Sequence, residues 1–162
     1  MRPEQEKRFA TLAIRQLGKP YSVHYKSHDW VDDKGLKQDA KNLYDFATDP
    51  IQFDCSGLSA WLWGVARKLR IPHGTQAQQD VCRRIDKSAV LECGDLGFIE
   101  RSTGRRHVVV YLYDDTCIEA NGKARKVITA EASRWQKDPD FLGWYRLDEE
   151  KLAAWKKGTL SK

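Results

Sequence analysis

The chain has 162 residues, of which 41% are hydrophobic and 31% charged, and it carries a formal charge of +5. This length fits one domain, residues 1–162, with a single core, and no segment approaches the roughly 20 apolar residues of a membrane span. The positive charge points to an anionic partner, but the basic residues are scattered among acidic ones. With no aromatic-basic single-strand signature and no zinc-ligand spacing, the pattern argues against nucleic acid.

Met1 to Arg8 lacks the uninterrupted apolar stretch of a secretory signal. A helix is predicted from Pro3 to Leu17, with Phe9, Leu12, Ala13 and Leu17 on one face; Gly18 ends it and Pro20 prevents its continuation. Residues Ser22 to Gln52 are polar and slightly acidic, yet they include Tyr25, Trp30, Leu36, Leu43, Tyr44 and Phe46. That content argues against disorder and predicts a lid or groove wall over a cleft, with a short helix from Asp39 to Phe46. His24 and His28 stand at i, i+4 near Asp29 and Asp32. They lack a metalloprotease context and a helical setting, so no metal or other cofactor is expected.

Phe53-Asp54-Cys55-Ser56-Gly57-Leu58 leads into a second helix in which Ala60, Trp61, Leu62, Val65 and Leu69 recur at helical spacing. Trp61 and Trp63 are assigned to the core. Cys55 therefore begins that helix, where unpaired N–H groups and the helix dipole favour a thiolate and an oxyanion. His73, after Pro72, reads as a loop residue rather than a base.

Gly94 to Glu100 reads as a strand, with Asp95 accepting backbone hydrogen bonds in a turn. Ser102 to Arg106 forms a turn and His107 to Tyr113 a β-branched strand. Asp114-Asp115 then turns the chain into Thr116 to Ala120. This hairpin is expected to return Glu119 to the side of His107, one imidazole nitrogen meeting the carboxylate and the other the Cys55 sulfur. Asn121 is the alternative third member. Arg105 and Arg106 are expected to favour a neutral His107, although the resting protonation of a cysteine–histidine pair stays open. Val127 to Ala130 and Gly143 to Leu147 read as further strands. Asp148 caps a closing helix from Glu149 to Lys157, packed through Leu152 and Trp155, and the chain frays from Gly158. Cys82, Cys93 and Cys117 are expected to be small buried free thiols, with no pairing or spacing for structural zinc.

Leu17-Gly18-Lys19-Pro20-Tyr21, Phe53-Asp54-Cys55-Ser56-Gly57-Leu58, Pro72-His73-Gly74-Thr75 with Gln78, Gly94-Asp95-Leu96, His107-Val108-Val109-Val110-Tyr111 and Ile118-Glu119-Ala120 occur in one order. In that order and over most of its length, the chain resembles the NlpC-type peptidoglycan endopeptidases. It departs from them in the length of the segment at about 22–52. The resemblance implies an α+β, papain-like fold: N-terminal helices, with the catalytic cysteine at a helix N-terminus, packed on a small antiparallel sheet. It implies hydrolysis of peptidoglycan stem peptides at the bond from the γ-carboxyl of D-glutamate to diaminopimelate or lysine. Cys55, His107 and Glu119 would be catalytic. Tyr21 and Ser56 would line the site, the Cys55 or Ser56 N–H would support the oxyanion, and Asp54 would bind substrate or brace the loop. The implied partner is the stem peptide, with no nucleic acid and no membrane span, and the protein is read as a monomer acting at the cell wall. Either a leader is missing from this sequence, or the protein leaves the cell by another route, such as phage lysis, a virion or a dedicated secretion machine. Two rival readings keep the fold: another thiol acyl-transfer or amidase activity, or a non-catalytic wall-binding or virion module.

Overall fold

The computed structural model describes residues 1–21, 30, 31, 37, 38, 50 and 52–160. Helix α1 (Pro3–Ile14) starts with proline in its first turn and a capping interaction in which the Arg2 N–H donates to Gln5 Oε1 at 2.9 Å. Phe9, Ala10 and Ala13 are its buried residues. The helix stops short of the predicted Leu17. The chain turns at 15–18, so Leu17 is 41% exposed and Gln16 is buried in its place, its Nε2 donating to the Leu12 carbonyl at 3.0 Å. The inserted segment contributes a two-stranded antiparallel pair, β1 (Trp30–Val31) and β2 (Lys37–Gln38). The helix expected over Asp39 to Phe46 and the His24/His28 pattern lie outside the described residues.

Helix α2 (Cys55–Arg67) buries Leu58, Ala60, Trp61 and Leu62; Val65 is only partly buried and the predicted Leu69 falls outside the helix, which ends at Lys68 in the left-handed region. Two elements too short for periodicity to reveal follow, α3 (Thr75–Asp80) and β3 (Cys82–Arg84). Then come β4 (Leu96–Glu100), β5 (Arg106–Tyr113), β6 (Thr116–Asn121), β7 (Lys126–Glu131), α4 (Ala132–Gln136), β8 (Phe141–Leu147) and α5 (Glu149–Lys157). The last six strands form an antiparallel sheet in the order β3-β8-β4-β5-β6-β7. The fold is α+β, as the sequence predicts, with the helices packed on an antiparallel sheet.

Alternation along the strands separates two buried layers. Val108, Val110, Leu112, Ile118 and Ala120 join Phe9, Leu58, Trp61 and Leu62 in the main core beneath the helices. Val109 and Cys117 face the other way, into a smaller cluster with Ile85, Ile99, Ala132 and Trp144. Each aliphatic side chain buried in either layer stabilises the fold by about 1.5–3 kcal/mol. At the closing helix, the Asp148 carboxylate accepts from the Lys151 N–H at 3.0 Å and Leu152 is buried.

Candidate active site

The site begins with the segment that aims α2. The Lys19–Tyr21 stretch runs beside β7: the Gly18 N–H donates to the Val127 carbonyl at 3.0 Å, Val127 to Lys19 at 2.9 Å and Tyr21 to Arg125 at 3.0 Å. Tyr21 also bridges to Phe53 in parallel, and the Phe53 N–H donates to the Pro20 carbonyl at 3.1 Å. Asp54 follows as the N-cap of α2, its Oδ1 accepting from the Gly57 N–H at 2.6 Å. A cap of this kind stabilises a helix by about 1 kcal/mol. It leaves Cys55 and Ser56 in the first turn, where N–H groups have no acceptor within the helix.

Gln78 braces the same turn from α3. Its Nε2 donates to the carbonyls of Ser56 (2.9 Å) and Pro72 (3.0 Å), while its Oε1 accepts from the Ser59 hydroxyl (2.6 Å). Gln78 is fully buried and the Ser56 side chain nearly so, which makes Ser56 part of the helix footing.

A β-bulge places the acid. Asp114 and Asp115 turn the β5–β6 hairpin with φ values of 45° and 57°, the left-handed pair that a two-residue turn requires and that aspartate tolerates. Tyr113 pairs with Thr116, so an uninterrupted ladder would set Glu119 opposite Val110, on the main-core face. The register shifts instead, pairing Tyr111 with Cys117 and Val110 with Ile118, so that Leu112 is the extra residue. A one-residue shift exchanges the faces of a strand, and it turns Glu119 toward the face that bears Val109 and His107.

Three sequence-selected side chains meet there. Cys55 stands near enough to His107 to raise its pKa, and His107 Nε2 lies 3.3 Å from Glu119 Oε1. A carboxylate only accepts, so Nε2 carries the proton of that contact. Glu119 is 1% exposed, and its Oε1 also accepts from Asn121 Nδ2 at 2.5 Å. Asn121 thus supports the acid rather than replacing it. The second carboxylate oxygen, Oε2, accepts from Trp135 Nε1 at 2.5 Å, a partner that the sequence analysis missed.

The electrostatics correct the expectation of a neutral imidazole. Burial lowers the pKa of His107, but hydrogen bonds to Cys55 and Glu119 and their negative charges outweigh it and raise the value to about 9. Arg106, expected to oppose this, is occupied: its Nη1 lies 3.1 Å from Glu100 and its Nη2 donates to Gln79. Burial pushes Glu119 up, yet donation from His107, the charge of His107 and donation from Asn121 and Trp135 hold it below the usual carboxylate value. The Tyr21 phenol is pushed up by burial and then by the charges of Cys55 and Asp54, with Arg105 opposing, which sets it in the same neighbourhood. Cys82, Cys93 and Cys117 are buried free thiols, each pushed up to about 12 chiefly by burial, whereas Cys55 is partly exposed.

His107 opens onto a cleft of about 400 Å³ whose walls include Tyr21, Arg105, Arg106, Gly122, Lys123 and Trp135. Among the described residues its lining carries no acidic side chain, and Arg105 and Lys123 have no ion pair there. A separate groove of about 500 Å³, lined by Pro3, Ala10, Ile14 and Leu112, holds none of these reactive groups. Among the described residues no three His, Cys, Asp or Glu side chains converge as metal ligands, and no helix is long and apolar enough to cross a membrane.

Residues 41–141 match the profile of the NlpC/P60 family. The chain belongs to the NlpC/P60 family. Members of this family are cysteine peptidases that act on peptidoglycan at the cell wall. Among solved structures, the P60 domain of an antigen from M. avium subspecies paratuberculosis is 26% identical with a TM-score of 0.61, over 89% of this chain and 94% of that one. The peptidoglycan hydrolase RipB from Mycobacterium tuberculosis is 24% identical with a TM-score of 0.61, over 90% of this chain and 66% of that one. NlpC2 from Trichomonas vaginalis is 19% identical with a TM-score of 0.62, over 88% of this chain, which spans 46% of that protein. No curated protein matches the sequence.

Proposed function

We propose that this NlpC/P60 protein hydrolyses peptidoglycan stem peptides at the γ-D-glutamyl bond to diaminopimelate or lysine, using Cys55 as nucleophile, His107 as acid and base and Glu119 as orienter. The observation that carries the reading is the placement of His107 between Cys55, which raises its pKa, and the buried Glu119 carboxylate 3.3 Å away, at the edge of a cleft that His107 lines. The Cys55 thiolate adds to the carbonyl carbon and the displaced π pair moves onto oxygen, facing the Cys55 and Ser56 N–H groups. The C–N bond then breaks as His107 passes its proton to the leaving amine, which leaves a thioester. Water gives a proton to His107 and adds to the thioester. The C–S bond breaks, the acid product departs, and thiolate and imidazolium are restored.

Arg105 and Lys123 supply positive charge beside His107, which suits a substrate rich in carboxylates, and Tyr21 lines the same cleft. Residues 1–162 act in this reading as one domain with an inserted segment at about 22–52, working as a monomer at the cell wall. The test is digestion of purified muropeptides by the wild type and by Cys55→Ala, with products weighed by mass spectrometry. The expected result is a free γ-D-glutamyl carboxyl product from the wild type and none from the variant. Intact muropeptides after incubation with the wild type, or equal turnover by Cys55→Ala, would overturn the reading.

A further inference from the structure

Glu119 is held by more than the histidine it faces. Its Oε1 receives His107 at 3.3 Å and Asn121 at 2.5 Å, whereas the donor to its Oε2 is the Trp135 indole at 2.5 Å. The terminal torsion of a glutamate is broad and roughly two-fold, so a carboxylate gripped through one oxygen can swing about that grip. A donor on the second oxygen stops the swing.

Trp135 is itself fixed from three directions. Its ring lies 5.5 Å from that of His107 at 44°, and the Arg101 guanidinium stands 5.9 Å over its face. Arg101 in turn pairs with Asp138 at 2.8 Å and Asp140 at 3.0 Å. The short helix α4 that carries Trp135 is tied to the turn of the β5–β6 hairpin. The Ala132 N–H donates to the Asp115 carbonyl at 2.7 Å, and Ser133 donates to the Asp115 carboxylate through N–H at 2.7 Å and hydroxyl at 2.6 Å. One hairpin therefore carries His107 and Glu119 on its strands and, from its turn, anchors the helix whose tryptophan locks Glu119.

We propose that Trp135 is a positioning residue of the reaction: its indole N–H locks the Glu119 carboxylate with Oε1 turned to His107, and Asp115 holds Trp135 in place. This deepens the proposed function and rests on its assignment of Cys55, His107 and Glu119. A tryptophan that only filled space would serve equally well without its N–H, whereas a locking donor would not. Trp135→Phe keeps a ring and removes that donor.

The experiment follows the titration of the His107 ring by NMR in the full chain, so it needs no peptidoglycan. In the wild type, His107 is expected to titrate near 9, because Cys55 and Glu119 outweigh its burial. In Trp135→Phe that midpoint is expected to move down toward 6.5 by about one pH unit, the size of one lost charge-assisted hydrogen bond on the carboxylate that holds the imidazolium. Asp115→Gly, which tolerates the left-handed backbone but drops the clamp on Ser133, is expected to shift it the same way by less, and it carries the test if Trp135→Phe does not fold. A folded variant with the wild-type profile, even one of lower melting temperature, would overturn the proposal. A His107 midpoint near 6.5 in the wild type would instead overturn the underlying assignment of Cys55, His107 and Glu119. Lack of muropeptide cleavage with the predicted titration shifts intact would overturn the substrate reading alone.

Discussion

At the scale of single residues, His107 and Glu119 stabilise each other's charged forms, and the consequence is a pH window. The folded-state pKa of His107 is raised from 6.5 to about 9, so its stabilising contribution is complete below 6.5 and is lost as pH rises through 9. Glu119 is lowered from 4.5, so its contribution is complete above 4.5 and is lost as pH falls through its lower folded value. The melting temperature of the wild type should therefore exceed that of Glu119→Gln most between about pH 4.5 and 6.5 and converge with it toward pH 9, as a calorimetric series would show. Ring NMR should find His107 titrating near 9 in the wild type and closer to 6.5 in Glu119→Gln. Histidine titration at the wild-type position in that variant would remove Glu119 from the account. Nothing in the order of residues 105–107 discloses this direction. The arginines are adjacent in sequence, but Arg106 is spent on Glu100 and Gln79, while the decisive charges come from positions 55 and 119.

Among elements, the start of α2 and the ends of β5 and β6 were readable because capping residues, β-branched runs and an Asp-Asp turn leave local marks. The bulge at Leu112 was not, since counting back from a two-residue turn sets Glu119 opposite Val110, on the wrong face. Which strand absorbs an extra residue is decided by packing on both sides of the sheet, and no local pattern announces it. Helix α4 escaped for a similar reason: five residues are too few for a period, and its anchor, Asp115, lies 18 positions from Ser133. Gln78 stood in the motif set, but its service to the α2 footing is visible only once Ser56, Ser59 and Pro72 surround it. Gln78→Leu should strip the Pro72 carbonyl of its amide donor and leave the Ser59 hydroxyl and the Ser56 carbonyl only each other, at 3.0 Å. A loss of about 3 kcal/mol in urea unfolding is expected, together with weakened activity as the Cys55 turn loosens. A change below about 0.5 kcal/mol would show that water replaces the amide without cost.

For the molecule as a whole, the charge of +5 becomes informative through its placement. Arg105 and Lys123 flank His107 in a cleft whose described lining offers no carboxylate in exchange. Arg105→Gln and Lys123→Gln should each raise KM for muropeptides by about fivefold, the upper end for an exposed charge pair, with kcat little altered. The effect should shrink as ionic strength rises. Steady-state kinetics at two salt concentrations provide the check, and a fall in kcat at constant KM would move these residues from binding to chemistry.

The stretch from Gly18 to Tyr21 lies along β7, the last strand of the sheet, and bonds to it through Val127 and Arg125. An uncovered outer strand is a template on which other copies of a chain can polymerise. The same few peptide groups that steer Phe53 and the start of α2 therefore also keep the sheet from growing into its neighbours. Loosening this strap would yield precipitate and a misaimed sulfur together, so light scattering and loss of turnover should rise in step across a series of variants at Lys19 and Pro20.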